Sequence, residues 1–75
     1  MPALKPNSTD RYIGARLKAA RLERKLSQTD LGSVIDISFQ QIQKYERGTN
    51  RIAAATLIQL AAFLGKPIQW FFPKK

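Results

Sequence analysis

Apolar residues recur at intervals of three and four along most of this chain, which marks helices with one buried face. The first such run is TDRYIGARLKAARLERK, with Thr9 or Asp10 as its N-cap. Ile13, Leu17 and Ala20 fall on one stripe, with Leu22 and Leu26 extending it, and Arg11, Arg16, Lys18, Arg24 and Lys25 take the remaining surface. Gly14 weakens the first turns a little. A second helix opens at Ser27 in SQTDLGSVI. Asp30 then sits at the third helical position, where its charge suits the positive end of the helix, and Leu31 and Ile35 face the core. Gly32 is costly in a helix interior and is expected where a neighbouring helix approaches closely. The helix ends near Ile35, and Asp36 and Ile37 make a short turn. A third helix starts at Ser38, with Gln41 completing a capping box, and stops at Gly48. After the loop TNRIA a fourth helix runs from about Ala54 to Leu64, with Leu57, Leu60, Ala61 and Leu64 inward and Gly65 just beyond its end. Pro67 opens a short fifth helix, PIQWFF, and Pro73 closes it.

Every expected element is helical. Residues 1–9, with two prolines and little to bury, read as a flexible N-terminal arm, and residues 10–73 as the folded domain. Seventy-five residues make one domain with one small core and leave no room for a ligand-sensing domain. The absence of cysteine and histidine removes disulfides, thiolate metal sites and the usual general base at neutral pH. Asp30, Asp36 and Glu46 suggest no paired-carboxylate site, and no glycine-rich phosphate loop is present. No catalytic residue, metal or cofactor is therefore expected, and the chain reads as a non-enzyme. Thirteen Lys+Arg against five Asp+Glu give a net charge of +8, which favours an anionic partner, nucleic acid or an acidic membrane surface. No apolar run approaches the roughly 18–20 residues of a membrane span, and the first residues lack the apolar stretch of a secretory signal. A cytoplasmic protein is the expectation.

The third helix, SFQQIQKYERG, carries the most informative surface. A helix turns about 100° per residue. With Ile42 at the core centre, Tyr45 and Glu46 lie beside it, and Gln40, Lys44 and Arg47 share a sector of roughly 60° on the opposite face. Gln43 lies at the edge of that sector, and nothing acidic does. The glutamine amide donates and accepts at once, which matches the N6/N7 edge of adenine; lysine suits guanine O6/N7 or a phosphate, and Arg47 suits either. Taken alone, this face is equally well a solvated polar surface. The second helix shifts the balance, because two short helices joined by a tight turn form the helix-turn-helix arrangement, whose second helix enters the major groove.

LSQTDLGSVIDISFQQIQKYERG, residues 26–48, resembles the helix-turn-helix of the phage-lambda-repressor-like family, also called the XRE family. The matching features are the SQ that opens helix 2, the Leu31-Gly32 pair, the isoleucine before the turn and the YERG that closes helix 3. LIQLAAFLGKPIQWFF resembles the fourth and fifth helices of that family, so the likeness covers about residues 11–72. It implies an all-α, five-helix DNA-binding domain that binds a palindromic operator in double-stranded DNA as a homodimer. Carried over by position, Gln28 would donate to a phosphate and brace Gln40. Phe39, Gln40, Gln43 and Lys44 would face base edges. Ser38, Arg47, Thr49, Asn50 and Arg51 would sit against the phosphate backbone, and Arg21 would pair with Glu46, which otherwise holds an expensive core-side position.

Two positions depart from the family pattern. Asp36 stands where glycine is common in the turn. Phe39 stands where a polar residue is common, and either touches a thymine methyl or packs as a shoulder over the turn. The three aromatics at 70–72 cannot all face inward on one short helix. Some close the core, and Trp70 or Phe72 is expected to contact a second subunit. The expectation is thus a sequence-specific transcriptional regulator, a repressor, controlled by its own concentration or by a protein partner. The alternative is an antitoxin-type protein that binds a partner toxin and its own promoter.

Overall fold

The computed structural model describes residues 7–74. It contains four α-helices, α1 (Ser8–Glu23), α2 (Gln28–Val34), α3 (Phe39–Arg47) and α4 (Ala54–Leu64), followed by a 3-10 turn at Ile68–Phe71. The expected fifth helix is therefore a single tight turn. Pro67 and Pro73 leave too little chain between them for successive α-helical bonds, and the segment closes with i+3 bonds instead, from Trp70 N–H to the Pro67 carbonyl at 3.0 Å and from Phe72 N–H to Gln69 at 3.2 Å.

The start of α1 also differs from expectation. Its N-cap is Asn7, not Thr9 or Asp10. The Asn7 side chain accepts from the N–H groups of Thr9 and Asp10 at 3.0 and 3.2 Å, and the Asp10 carboxylate accepts from Asn7 N–H at 2.8 Å. This reciprocal box extends the helix into the segment expected to be a loose arm. The rest of that arm, residues 1–6, lies outside the described residues. Ser27 and Asp30 form a second box at α2. At α3 only half of the expected box forms: Ser38 Oγ accepts from Gln41 N–H at 3.2 Å, and the Gln41 amide does not return the bond. The two complete boxes both use an aspartate, whose charge adds attraction to the helix N-terminus that a neutral amide lacks.

The core is Leu17 and Ala20 of α1, Leu31 of α2, Ile42 of α3, Leu57, Leu60, Ala61 and Leu64 of α4, and Phe71. Every inward residue expected on α4 is buried. Leu22 is not part of the core: it is 53% exposed, because it lies about 140° around the helix from Leu17. Leu26 reaches the core edge only after α1 has ended and the chain has turned at Lys25, φ +58°.

Two glycines allow close backbone approach. A Cβ on Gly14 would run into the Tyr45 and Glu46 carbonyls, so α1 and α3 pack backbone to backbone at that point. A Cβ on Gly32 would meet the Ile37 carbonyl, so the close neighbour is the chain's own turn and not another helix. That turn is closed by Ile37 N–H donating to the Gly32 carbonyl at 2.9 Å. Asp36 adopts the left-handed conformation there, φ +59°. Helices α1 and α2 both pack on α3, while α4 contacts α2 and the 3-10 turn. Among the described residues, no helix is long and apolar enough to cross a membrane.

Candidate nucleic-acid interface

One face of α3 is sealed against the domain and the other is open. Ile42 is fully buried, Glu46 is buried and Tyr45 partly so. Gln40, Lys44 and Arg47 are exposed on the opposite side, with Gln43 partly buried at its edge, and the face carries no carboxylate. Phe39, at the start of the helix, is 46% exposed and projects half its surface into solvent.

The orientation of this face is held by Glu46. Arg21 Nε donates to Glu46 Oε2 at 2.6 Å, and a second Arg21 nitrogen donates to Oε1 at 3.0 Å. The third arm of the guanidinium donates to the Leu26 carbonyl at 2.8 Å. Gln28 Nε2 also donates to Glu46 Oε1, at 3.0 Å. Arg21 is on α1, Gln28 opens α2 and Glu46 is on α3, so one carboxylate ties three helices together. Planar, two-pronged pairing fixes direction as well as distance. The Gln28 amide thus braces Glu46 and not Gln40.

The loop after α3 is fixed as firmly. Gly48 ends the helix with φ +73°, a left-handed conformation that glycine adopts without a steric penalty. Thr49 turns its hydroxyl back to the Lys44 carbonyl at 3.2 Å. Arg51 grips Asp10 at the start of α1, with Nη2 to Oδ2 at 3.0 Å and Nε to Oδ1 at 3.1 Å. The Arg51 hydrogen bond holds the Asp10 carboxyl below the usual carboxylate range, against the opposing effect of burial, and the Asn7 N–H adds to it. The same bond raises the Arg51 pKa. Of the residues expected along the phosphate backbone, Gln28, Thr49 and Arg51 therefore have partners within the chain, Ser38 caps α3, and Arg47 and Asn50 are exposed. The Asn7–Asp10 spacing was a readable capping signal, but its partner 41 residues away from Asp10 was not.

The aromatic segment is divided. Phe71 is fully buried, and Phe72 is 42% exposed. Trp70 packs edge-on against Phe71 at 5.1 Å and carries the Arg16 guanidinium 3.7 Å from its ring centre. The Lys66 ammonium lies 4.7 Å from the same ring, and Arg16 Nε donates to the Trp70 carbonyl at 2.9 Å. Trp70 is thus engaged within its own chain, through contacts with helix 1 that the sequence did not reveal. Among the described residues, no group of histidine, cysteine, aspartate or glutamate side chains could hold a metal.

Two short helices packed on one another, the second sealed on one side and presenting a basic amide-rich face on the other, define a helix-turn-helix domain. Comparison with known proteins agrees. Residues 17–71 match the family described as Helix-turn-helix, and the chain belongs to that family as an XRE-like member. It is 44% identical over 68 residues to an uncharacterized HTH-type transcriptional regulator of Sinorhizobium medicae, a match covering 91% of this chain and 49% of that protein. It is 48% identical over 63 residues to an uncharacterized transcriptional regulator in the ATPase CF(0) region of Rhodospirillum rubrum, covering 84% of this chain and 58% of that one. The chain thus spans about half the length of these relatives. Among solved structures, it resembles the DNA-binding domain of BldD, with a TM-score of 0.76 and 28% identity over 87% of this chain and 94% of that one. A similar fold occurs in the hydroxypropylphosphonic acid epoxidase of S. wedmorenis, with a TM-score of 0.81 and 21% identity over 88% of this chain and 35% of the enzyme. That likeness is one of fold alone.

Proposed function

We propose that this chain is the sequence-reading domain of a transcriptional regulator, and that α3 lies in the major groove of its operator. The observation that carries this reading is the outward face of α3: Gln40, Lys44 and Arg47 exposed together, without an acid, on a helix whose other side is locked by Ile42 and the Arg21–Glu46 pair. A net charge of +8 supplies attraction to any duplex, and the amides add discrimination among bases. The names of its relatives, regulators and the DNA-binding domain of BldD, support the same reading.

In this arrangement Gln40, Gln43 and Lys44 face base edges, and Phe39 meets a thymine methyl near the start of the helix. Arg47, Ser38 and Asn50 lie towards the phosphates. Two copies bind a palindrome with their α3 helices about 34 Å apart, roughly one turn of DNA. The contact between copies falls to Phe72, since Trp70 is held by Arg16 and Lys66. Occupancy of the operator then represses transcription, in the cytoplasm. Selection of bound duplexes from a random pool tests the reading. Enrichment of a two-fold symmetric site with half-sites about one turn apart is expected. An unenriched pool, with binding governed by salt alone, would count against it.

A further inference from the structure

A groove of about 540 Å³ runs between α1 and the 3-10 turn, lined by Tyr12, Arg16, Gln69, Trp70, Phe72 and Lys74. It lies away from α3. Gly14 packs on the α3 backbone, and Arg16, two residues on, is turned about 160° from it around α1. Arg16 is fixed in the groove by Trp70 and Tyr12. Its guanidinium lies 3.7 Å from the Trp70 ring centre and 5.7 Å from that of Tyr12, and its Nε donates to the Trp70 carbonyl at 2.9 Å. Among the described residues, its two terminal nitrogens donate to no acceptor. Lys74, the second cation, is exposed and forms no ion pair with a described residue. No acidic side chain lines the groove among the described residues.

These features specify an occupant. A guanidinium whose terminal nitrogens are open offers the parallel N–H donors that a carboxylate accepts two-pronged. Stacking on Trp70 has already ordered this side chain, so little freedom is lost when an anion binds. Beside it, Tyr12 and Phe72 are 37% and 42% exposed and form apolar walls. An anion with an apolar neighbour satisfies both. A small-molecule pocket encloses about 70–90% of its ligand, whereas these walls stand open, which suits an extended chain that continues past the groove. A second copy fits poorly, because it brings a net charge of +8 to a groove that is itself cationic. We propose that the groove docks an acidic segment of a partner protein, with one carboxylate on the Arg16 fork, a second near Lys74 and an aliphatic side chain between Tyr12 and Phe72. Phe72 is also the side chain given above to the contact between copies, so a docked segment weakens pairing on the operator. That consequence rests on the reading above, and the docking itself does not.

Trp70 is the single tryptophan of the chain, so its emission reports occupancy of the groove. The probe is the synthetic peptide Gly-Glu-Asp-Leu-Leu-Asp-Glu-Gly, compared with one carrying amides for its carboxylates and one carrying serines for its leucines. Each is titrated into the wild type, Arg16→Lys, Lys74→Gln and Lys18→Gln, the last a control on the opposite flank of α1. The acidic peptide should bind the wild type and Lys18→Gln alike, about tenfold more tightly than either counterpart. Arg16→Lys keeps the charge and loses the fork, and should weaken the acidic peptide about tenfold. Lys74→Gln, at an exposed position outside the core, should weaken it about threefold. Equal losses in Lys18→Gln and Lys74→Gln, or equal affinity for the leucine and serine peptides, would reduce the binding to bulk charge and overturn the docking site. Displacement of the acidic peptide by oligothymidylate would assign the fork to phosphate and overturn the partner's chemistry. Emission that changes with protein concentration alone, and does not in Arg16→Lys, would place a second copy in the groove and overturn the proposal. On the selected operator, saturating acidic peptide should lower cooperativity and leave half-site affinity unchanged. Unchanged cooperativity with the peptide bound upholds the groove and overturns the pairing role of Phe72.

Discussion

Arg21 and Glu46 meet in a two-pronged pair, at 2.6 and 3.0 Å, with only 8% and 3% of their side chains exposed. The pair joins α1 to α3 immediately behind the surface proposed to meet DNA. Removing one partner leaves the other charged and buried, which costs about 3–5 kcal/mol, a large share of the stability of a small domain. Glu46→Ala should therefore lower the melting temperature by well over ten degrees, at about 4–8 °C per kcal/mol for a domain of this size. A variant melting within two degrees of wild type would show that the pair is energetically idle.

Gly14 predicts an effect opposite to that expected from helix propensity. In an exposed helix, Gly→Ala gains about 1 kcal/mol. Here the new Cβ meets the Tyr45 and Glu46 carbonyls and forces α1 away from α3. Gly14→Ala should destabilise the domain by about 1–3 kcal/mol in chemical denaturation. A gain in stability would mean that the two helices separate without cost.

Asp36 offers the reverse case. It sits at φ +59°, a conformation glycine adopts without strain. Asp36→Gly should raise stability by about 0.5 kcal/mol, or roughly 2–4 °C. A lower melting temperature would indicate that the aspartate side chain contributes more to the turn than its backbone costs.

The Asp10–Arg51 lock makes an acid-side prediction. The folded-state pKa of Asp10 lies below its unfolded value. Its contribution to stability is therefore complete above the unfolded value, about 3.9, and is lost as pH falls through the folded one. Asp30, lowered in the same direction by the Ser27 N–H, remains in the variant, so an Asp10→Asn comparison isolates the lock. Between about pH 5 and pH 2.5 the wild type should lose melting temperature more steeply than Asp10→Asn. Parallel curves would contradict the assignment. Arg51→Ala should also destabilise the domain, so loss of DNA affinity in that variant would not by itself report a phosphate contact.

Periodicity was enough to place α2, α3 and α4, because their boundaries coincide with strong local signals: Ser27 and Ser38 as caps, and Gly48 and Gly65 as stops. The open face of α3 was legible for the same reason, since a buried Ile42 determines what must lie opposite. Local pattern failed where partners are distant in sequence. Nothing near Asp10 announces Arg51, nothing near Trp70 announces Arg16, and the need for glycine at position 14 arises only from the backbone of α3. The fifth element differs from expectation because Pro67 and Pro73 read as the start and stop of a helix, while the short segment between them forms only a 3-10 turn.

The central claim is that α3 reads bases through its outward face, and Gln40 tests it most directly. The measurement is the affinity of wild type and Gln40→Ala for the selected operator and for a panel of its single-base variants, at one fixed salt concentration. Gln40→Ala should cost about 1–3 kcal/mol on the operator and lose its preference at one base pair in each half-site, leaving the other positions as selective as before. If Gln40→Ala weakens every duplex equally and keeps all base preferences, α3 does not read sequence through this residue, and the account is wrong at its centre.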